Sequence, residues 1–195
     1  MAFLRSVSAT DVAPIVYGER VMLRIPQMSD FETWAELRSV SRAFLTPWEP
    51  TWPGDDLTRT AFRRRVRRYQ RDVRDGHTYP FFVFRRSDDK LLGGLTLSNI
   101  RRGVSQSCSL GYWVGEPYAR NGYMSAAVQA IMPFVFDALL LHRLEASCLP
   151  VNEPSIRLLR NCGFSEEGYA RRYLRINGVW QDHLLFAILS SDLKS

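Results

Sequence analysis

The segment Gly111–Ala127 carries residues that can bind an anion. Its first part, up to Val114, predicts a strand, and the apolar residues after Gly122 predict a helix. The first amides of a helix lack partners within the helix, and a glycine lets a phosphate group approach the backbone closely. Arg120 adds positive charge. The segment therefore predicts a pyrophosphate site at the turn, although a strand, turn and helix with one glycine also occur as plain connectivity.

The other reactive side chains do not form a metal-binding or disulfide pattern. The three histidines lie far apart without the spacing of metal ligands, and the three cysteines lack close pairs. We therefore expect no metal site and reduced, partly buried thiols. The residues concerned are His77, His142, His183, Cys108, Cys148 and Cys162.

The elements around the turn predict an α+β domain. A strand at Val21–Ile25 precedes a helix with Ser29 and Glu32 as its capping box, and a proline-rich loop then leads to an arginine-rich helix. Strands near residues 80–86, 91–99 and 107–114 are then expected to form an antiparallel meander. A helix near 122–140, a strand near 143–149, a helix near 153–161 and a hairpin that turns at Asn177-Gly178 follow, which gives a sheet with helices on both faces.

The arginine-rich helix carries much of the basic charge of a chain whose net charge is +6. Its apolar residues recur at helical spacing, which predicts a solvated arginine face over a buried stripe. Docking on ribosomal RNA is the alternative, and it predicts binding that weakens steeply with salt. The arginines are Arg63, Arg64, Arg65, Arg67, Arg68, Arg71 and Arg74, and the apolar residues are Phe62, Val66, Tyr69 and Val73.

The chain length of 195 residues suits a single domain. We expect an N-terminal arm at residues 1–18 and one domain at residues 19–195. The longest apolar stretch, Ile131–Leu141, is too short to cross a bilayer, and Met1–Arg20 lacks the apolar block of a secretion signal. A cytoplasmic protein without membrane contact is therefore expected, as a monomer or a homodimer.

Several motifs resemble those of the GNAT acetyltransferases. The turn is similar to the Gln/Arg-x-x-Gly-x-Gly/Ala pattern of their acetyl-CoA loop, with Ala119 at the first position and Met124 at the last as departures. From about residue 17 to its end, the chain resembles the ribosomal-protein alanine N-acetyltransferases, the RimJ/RimL-like branch. The other matching segments are Leu149–Ser155, Arg160–Phe164 and Glu166–Tyr169 for the family, and Pro47–Pro50, Leu97–Ile100, Gly168–Ala170 and Asn177–His183 for the branch.

The resemblance implies a fold and a cosubstrate. The fold is the GNAT fold, a mixed, mostly antiparallel twisted sheet of about seven strands flanked by about four helices. The cosubstrate is acetyl-CoA, used without a metal by direct transfer in a ternary complex. The implied contacts are the Trp113 and Val114 backbone and Asn152 for the pantetheine arm, Arg160 for the nucleotide, and the amides of Arg120, Asn121, Gly122, Tyr123, Met124 and Ser125 for the pyrophosphate. Asn152 also suits a helix cap, and the two roles can coexist.

Acetyl transfer needs a neutral amine, a hydrogen-bond donor for the carbonyl oxygen that becomes negative, and an acid for the thiolate that leaves. An α-amino group has a pKa of roughly 7.7 to 8.0, against about 10.4 for lysine. At about pH 7.5, making the amine neutral therefore costs roughly a few tenths of a kcal/mol at an N-terminus but about 4 kcal/mol at a lysine. An N-terminal acceptor can react with the help of a weak base.

The resemblance also proposes catalytic and acceptor-binding residues. Many GNAT enzymes place a tyrosine acid one helical turn after the position of Ser155, but Leu159 stands there in this chain. Ser155 itself, alone or through a water, is the candidate acid, with helix capping as the structural alternative. Glu116, at the end of the strand that leads to the predicted pyrophosphate turn, is the candidate base, directly or through water, with a solvated loop carboxylate as the alternative. Glu49 is a second candidate base, and its loop, with Trp48, is implied to form one lip of the acceptor groove.

Three functions remain open at this point. The first is an N-acetyltransferase, and so an acyltransferase, that acts on a protein N-terminal α-amine, with the N-terminal alanine of a ribosomal protein as the implied acceptor. The second is acetylation of a small amine such as a polyamine, an antibiotic or an amino-acid analogue, because loops can change the acceptor while the fold stays the same. The third is an RNA-associated ribosome assembly factor with a vestigial acetyl-CoA site.

Overall fold

Eight strands form one mixed sheet in the computed structural model, which describes residues 13–194. Their order across the sheet is β1-β2-β3-β4-β5-β6-β8-β7. The strands are β1 Ile15–Tyr17, β2 Val21–Arg24, β3 Tyr79–Arg85, β4 Leu91–Arg101, β5 Ser107–Val114, β6 Arg143–Cys148, β7 Ser165–Ile176 and β8 Val179–Leu189. The α-helices of this part of the chain are α1 Phe31–Val40, α2 Arg42–Leu45, α3 Arg59–Arg74, α4 Tyr123–Pro133 and α5 Glu153–Asn161.

The two faces of the sheet carry separate hydrophobic cores, because successive side chains of a strand point to opposite faces. On β3, Phe81 and Val83 join the core that includes residues of α4 and α5. Phe82 and Phe84 join the other core, with residues of α1 and α3. Phe62 of α3 is fully buried in this second core. Helical layers therefore hold the sheet from both sides.

Strand pairing leaves an opening between β5 and β6. These parallel strands pair only as far as Leu110 and Ala146. Beyond that point, β5 continues to Val114 along β4, and β6 continues to Cys148 along β8. One edge of each strand therefore faces the opening without a neighbouring strand. Along the chain, α4 is the next α-helix after β5, and α5 is the next after β6.

The predicted α+β sheet with helices on both faces is confirmed, with one strand and one helix more than expected. The additional strand is β1, which pairs antiparallel with β2. It falls within the predicted N-terminal arm, residues 1–18, so that prediction was wrong for Ile15–Tyr17: their backbone hydrogen bonds make them the edge of the sheet. The rest of the predicted arm up to residue 12 lies outside the described residues.

Local chemistry accounts for three further differences. The chain turns into α1 at Asp30, whose carboxylate accepts from the Gln27 backbone N–H at 2.7 Å, rather than at the predicted capping box. The proline-rich loop contains α2 and a 3-10 turn at Thr46–Trp48, because Pro47 is tolerated in the first turn of a helix. The helix predicted up to residue 140 changes to a π-helical turn after Pro133, since proline has no N–H to continue the α-helical bonding.

Candidate active site

The turn before α4 exposes the amides of a helix end. Gly122 is the residue before the helix and has φ +75°, and no side chain caps the helix there. Arg120 also has a positive φ of 61°. The Asn121 side chain donates to the Ala119 carbonyl oxygen at 2.9 Å instead of capping the helix. Because the first amides of a helix have no intrahelical acceptor, those from Tyr123 to Ser125 are available to an anion, whereas the Ala126 amide bonds the Gly122 carbonyl oxygen at 3.0 Å.

Two arginines from distant parts of the chain lie beside this turn: Arg20 adds positive charge, whereas Arg85 is ion-paired with Asp88 at 2.6 Å. Arg20, just before β2, donates to the Asn121 carbonyl oxygen at 3.2 Å, and its guanidinium lies 4.7 Å from the centre of the Tyr123 ring. Arg85, at the end of β3, donates to the Tyr123 hydroxyl at 3.4 Å, and this bond is the main cause that holds the pKa of the Tyr123 phenol below its usual value. Sequence reasoning missed both arginines because no local pattern links them to the turn.

The turn has the room and the chemistry to fit a pyrophosphate. A Cβ on Gly122 would lie 3.5 Å from Nη1 of Arg20, so the glycine keeps the space beside that cation open. The Met124 side chain is buried in the core, which leaves only its backbone for a ligand. The turn therefore combines free amides, nearby cations and no obstructing side chain, as phosphate binding requires.

The predicted pantetheine-lining residues lie on an open strand edge. Trp113 and Val114 pair with Gly94 and Gly93 of β4 on one side, while β6 pairs with β5 only up to Leu110 on the other. Unpaired amides and carbonyls of a strand edge can bond an extended ligand as a neighbouring strand would. The structure thus brings this edge and the α4 turn together at one end of the opening.

Ser155 lies across the same opening. It is the third residue of α5, and its backbone N–H donates to Oδ1 of Asn152, the capping residue, at 3.2 Å. Its hydroxyl lies 2.6 Å from the hydroxyl of Tyr112, which belongs to the part of β5 beyond the last pair with β6. Leu159, one turn later, is fully buried. Asn152 therefore caps the helix, and the Ser155 hydroxyl is left for other contacts.

The groups around Ser155 are neutral donors. Burial raises the pKa of Tyr112 well above its usual value, and the bond to Ser155 offsets part of that rise. Burial also raises the pKa of the Cys148 thiol at the end of β6, and Ser155 again offsets part of that rise. All of these groups keep their protons near neutral pH. Sequence reasoning missed Tyr112 because a tyrosine within a strand has the pattern of a packing residue.

The predicted acceptor loop is held by a buried ion pair. Arg38 of α1 donates to both carboxylate oxygens of Glu49 at 2.7 Å each, and the Trp52 indole donates to the same carboxylate at 2.7 Å. The Arg38 guanidinium lies 3.9 Å from the centre of the Trp52 ring and 4.8 Å from that of Trp113. The Glu49 carbonyl accepts from the Asn177 backbone N–H at 2.9 Å. The loop is therefore joined to α1, β5 and the β7–β8 hairpin.

Glu116 lies where β5 ends, with an exposed side chain. Its backbone N–H donates to the hydroxyl of the buried Ser41 at 2.9 Å. The preceding Gly115 packs against α1 so closely that a Cβ there would lie 2.4 Å from Cδ1 of Leu37. The backbone of Glu116 is thus fixed at the mouth of the opening while its carboxylate faces solvent.

The remaining predicted residues lie at the surface or in the core. Arg160 is exposed and pairs with Glu166 at 2.7 Å, and Trp48 is half-buried in its 3-10 turn. His183 is buried, with Nδ1 3.0 Å from the Gln181 carbonyl oxygen. Within residues 13–194, no three metal-binding side chains cluster, and no helix has the length and apolar character needed to span a membrane.

Comparison with known proteins identifies the family. Residues 20–165 match the family model described as "Acetyltransferase (GNAT) domain". The chain is 35% identical over 175 residues to the probable N-acetyltransferase YjcK of Bacillus subtilis, a match that covers 90% of this chain and 97% of that protein. It is 30% identical over 174 residues to the [ribosomal protein uS5]-alanine N-acetyltransferase of Escherichia coli, covering 89% of this chain and 90% of that protein.

Solved structures agree with this assignment. Mycobacterium smegmatis RimJ in complex with CoA-disulfide superposes with a TM-score of 0.89 at 33% identity and covers 94% of this chain and 90% of that one. The ribosomal-protein-S5-alanine acetyltransferase from Vibrio fischeri gives 0.84 at 31% identity, with 93% and 100% covered. The predicted fold class and type of enzyme are therefore confirmed. The chain belongs to the GNAT acetyltransferases and is an N-acetyltransferase of their RimJ/RimL-like branch.

Proposed function

We propose that this enzyme transfers the acetyl group of acetyl-CoA to the N-terminal α-amine of a protein, with the N-terminal alanine of a ribosomal protein as acceptor. The observation that carries the proposal is the similarity to the uS5-alanine N-acetyltransferase of Escherichia coli, which extends over 89% of this chain. The similarity to Mycobacterium smegmatis RimJ, at 33% identity, supports it. The alternatives are a different amine acceptor and a role in RNA binding, and each has its own test.

Acetyl-CoA supplies the activated acetyl group as a thioester when it is bound. The α4 turn would hold the pyrophosphate through the amides from Gly122 to Ser125, with Arg20 and Arg120 as nearby cations. The open edge of β5 at Trp113 and Val114 would hold the pantetheine amides, with Asn152 on the opposite side of the opening. Arg160 reaches a nucleotide only if it exchanges its surface partner Glu166 for the ligand.

The residues at the opening divide the proton transfers between them. The amine nitrogen bonds to the acetyl carbon as the carbon–sulfur bond breaks, so the nitrogen loses a proton and the sulfur gains one. Ser155, in the first turn of α5, donates the proton to sulfur. Glu116 accepts the amine proton through water, and its exposed carboxylate is sufficient because an α-amine, with a pKa of roughly 7.7 to 8.0, already has a substantial neutral fraction near pH 7.5. Direct transfer with both substrates bound requires no covalent enzyme intermediate.

Glu49 suits a structural task in the acceptor groove better than proton transfer. Both of its carboxylate oxygens accept bonds from Arg38, and one also accepts from Trp52. A carboxylate in such contacts must break a charge-assisted pair before it can take a proton. We therefore keep Glu116 as the base and propose that Glu49 holds in place the lip of the acceptor groove that carries Trp48.

A panel of acceptors tests the proposed function. We expect acetyl-CoA turnover, followed as release of free thiol, with peptides that begin with Ala or Ser. An N-terminally blocked peptide that contains lysine should react at least about 100-fold more slowly, because neutralising its amine costs roughly 4 kcal/mol near pH 7.5. Polyamines and amino-acid analogues serve as controls. If the small amines react and the free N-termini do not, the enzyme is a small-amine acetyltransferase.

A basic surface on α3 supports an additional contact with ribosomal RNA. Four exposed arginines, spaced over eleven positions, share one side of this helix and form a stripe about 16 Å long. Within residues 13–194 none of the four has an acidic partner, whereas other arginines of the same helix pair with Glu32, Asp55 and Asp56. Unpaired guanidinium groups at this spacing suit successive phosphates of a nucleic acid. The stripe consists of Arg63, Arg67, Arg71 and Arg74.

The salt dependence of RNA binding tests this contact. We expect the logarithm of the association constant for a single-stranded RNA to fall against the logarithm of salt concentration with a slope of roughly −3, as four phosphate contacts predict. Changing the four stripe arginines to glutamine should bring the slope close to zero. The matched control changes Arg59 and Arg64, which have acidic partners, to glutamine and should keep most of the slope. Weak binding that does not respond to salt would exclude the RNA contact.

A further inference from the structure

We infer that Tyr112 is a positioning residue for proton transfer: its phenol donates to Ser155 and directs the Ser155 proton at the departing sulfur. The inference rests on the proposed acetyl transfer and adds a residue to it. The 2.6 Å contact between the two hydroxyl groups carries the argument. It joins β5 to α5 where β5 and β6 are no longer paired, at the opening that we assign to the acetyl-CoA arm.

The direction of the Tyr112–Ser155 bond follows from acidity. A phenol is a stronger acid than an aliphatic alcohol, so the shared hydrogen favours Tyr112 as donor and the Ser155 oxygen as acceptor. Burial keeps the phenol protonated, because it raises the pKa of Tyr112. The titratable groups that act on Tyr112 are Cys148 and Cys162, and burial raises the pKa of both thiols. Tyr112 is therefore a neutral donor throughout the neutral pH range.

This direction leaves the Ser155 proton free to point elsewhere. Within residues 13–194, Tyr112 is the one side chain hydrogen-bonded to the Ser155 hydroxyl, and with Tyr112 as donor the Ser155 proton is not committed to another acceptor. The same hydroxyl can thus donate to a sulfur that enters the opening. Leu159 is fully buried and apolar, so the neighbouring turn of α5 cannot supply a proton at that position.

The proton transfers balance within this arrangement. As the nitrogen–carbon bond forms and the carbon–sulfur bond breaks, the sulfur takes the Ser155 proton and the Ser155 oxygen takes the Tyr112 proton. Glu116 takes the amine proton through water, as proposed above, and releases it to solvent, from which Tyr112 regains its proton. A serine without this donor would have to leave an alkoxide, which is a stronger base than the phenolate that Tyr112 leaves.

The first test is Tyr112→Phe, which removes only the phenolic oxygen. We expect kcat for the best acceptor to fall about tenfold or more, as loss of assistance to a general acid predicts, with KM for acetyl-CoA changed less than about threefold. The matched control is Tyr79→Phe, on β3, which removes the phenolic oxygen of another half-buried strand tyrosine that packs against the same core. A Tyr112→Phe variant with the kcat of wild type would overturn the inference.

The second test does not depend on the acceptor. The pKa of the thiol of bound CoA is measured from the ultraviolet absorbance of its thiolate, with wild type, Tyr112→Phe and Ser155→Ala. A donor aimed at sulfur stabilises the thiolate, so both variants should raise this pKa by about one unit. If only Ser155→Ala raises the pKa of the bound thiol, Tyr112 has no role in the proton transfer and Ser155 remains the acid. If wild type acetylates no amine but Tyr112→Phe and Ser155→Ala both raise the pKa of the thiol of bound CoA, the acceptor proposal fails and the role of Tyr112 stands.

Discussion

Replacing Ser155 by alanine is expected to lower kcat about 100-fold while the affinity for acetyl-CoA changes less than about threefold. The reason is that the leaving thiolate loses its proton donor. The helix should not suffer, because Asn152 caps it by accepting from the backbone N–H of residue 155, which alanine retains. Thiol release with an Ala-initiated peptide gives kcat, and calorimetric titration gives the affinity.

Ser165→Ala is the matched control for this variant. Ser165 is an exposed serine at the start of β7, and its replacement should leave both quantities at the wild-type level. A Ser155→Ala enzyme that keeps more than about half of the wild-type kcat would show that water protonates the thiolate and that Ser155 is only part of the helix. Loss of acetyl-CoA affinity with unchanged kcat would instead assign Ser155 to binding.

Replacing Arg38 by methionine is expected to lower the free energy of unfolding by about 3 kcal/mol, since it leaves the Glu49 carboxylate partly buried without its cation. The side chains of Arg38 and Glu49 are only 10% and 19% exposed, so solvent cannot replace the lost partner. For a chain of this length, the melting temperature should fall by roughly 10 °C. Urea unfolding measures the free energy directly.

The same variant should also impair acceptor binding. The Arg38–Glu49 pair holds the loop that carries Trp48 against β5, so we expect a rise of about tenfold in KM for the acceptor peptide and a smaller change in KM for acetyl-CoA. Arg42→Met is the control, because Arg42 is exposed and approaches the Trp52 ring only at 5.4 Å. In the double variant Arg38→Met/Glu49→Leu, much of the lost stability should return, because no unpaired charge remains. Equal stability of Arg38→Met and wild type would contradict this role.

Sequence reasoning identified the part of the site that depends on local backbone geometry. A strand, a glycine turn and an apolar helix predicted the amides at Gly122, and the structure has a positive φ and an uncapped helix at that residue. Asn152 as a helix cap is likewise a local property, since its side chain bonds a backbone three residues away. Such features follow from neighbouring residues alone, and the motifs of the family lie in the same segments.

Residues brought together by folding could not be predicted in this way. Arg20 lies 101 positions from Asn121, and Tyr112 lies 43 positions from Ser155, yet each pair is hydrogen-bonded. Glu49 was predicted as a second base or a groove residue, and the structure commits its carboxylate to Arg38 from another helix. No periodicity or spacing in the chain encodes these contacts, because they depend on how strands and helices pack.

The sequence by itself determined the class of fold, the family and the backbone turn before α4, because these depend on hydrophobic periodicity and short motifs. The tertiary structure alone decided which side chains meet at the opening between β5 and β6. Parallel pairing stops at Leu110 and Ala146, and only this separation of the strands lets Tyr112 reach Ser155. The physical reason is that strand pairing and helix packing set distances between residues far apart in the chain, whereas local sequence sets only the conformation of each segment.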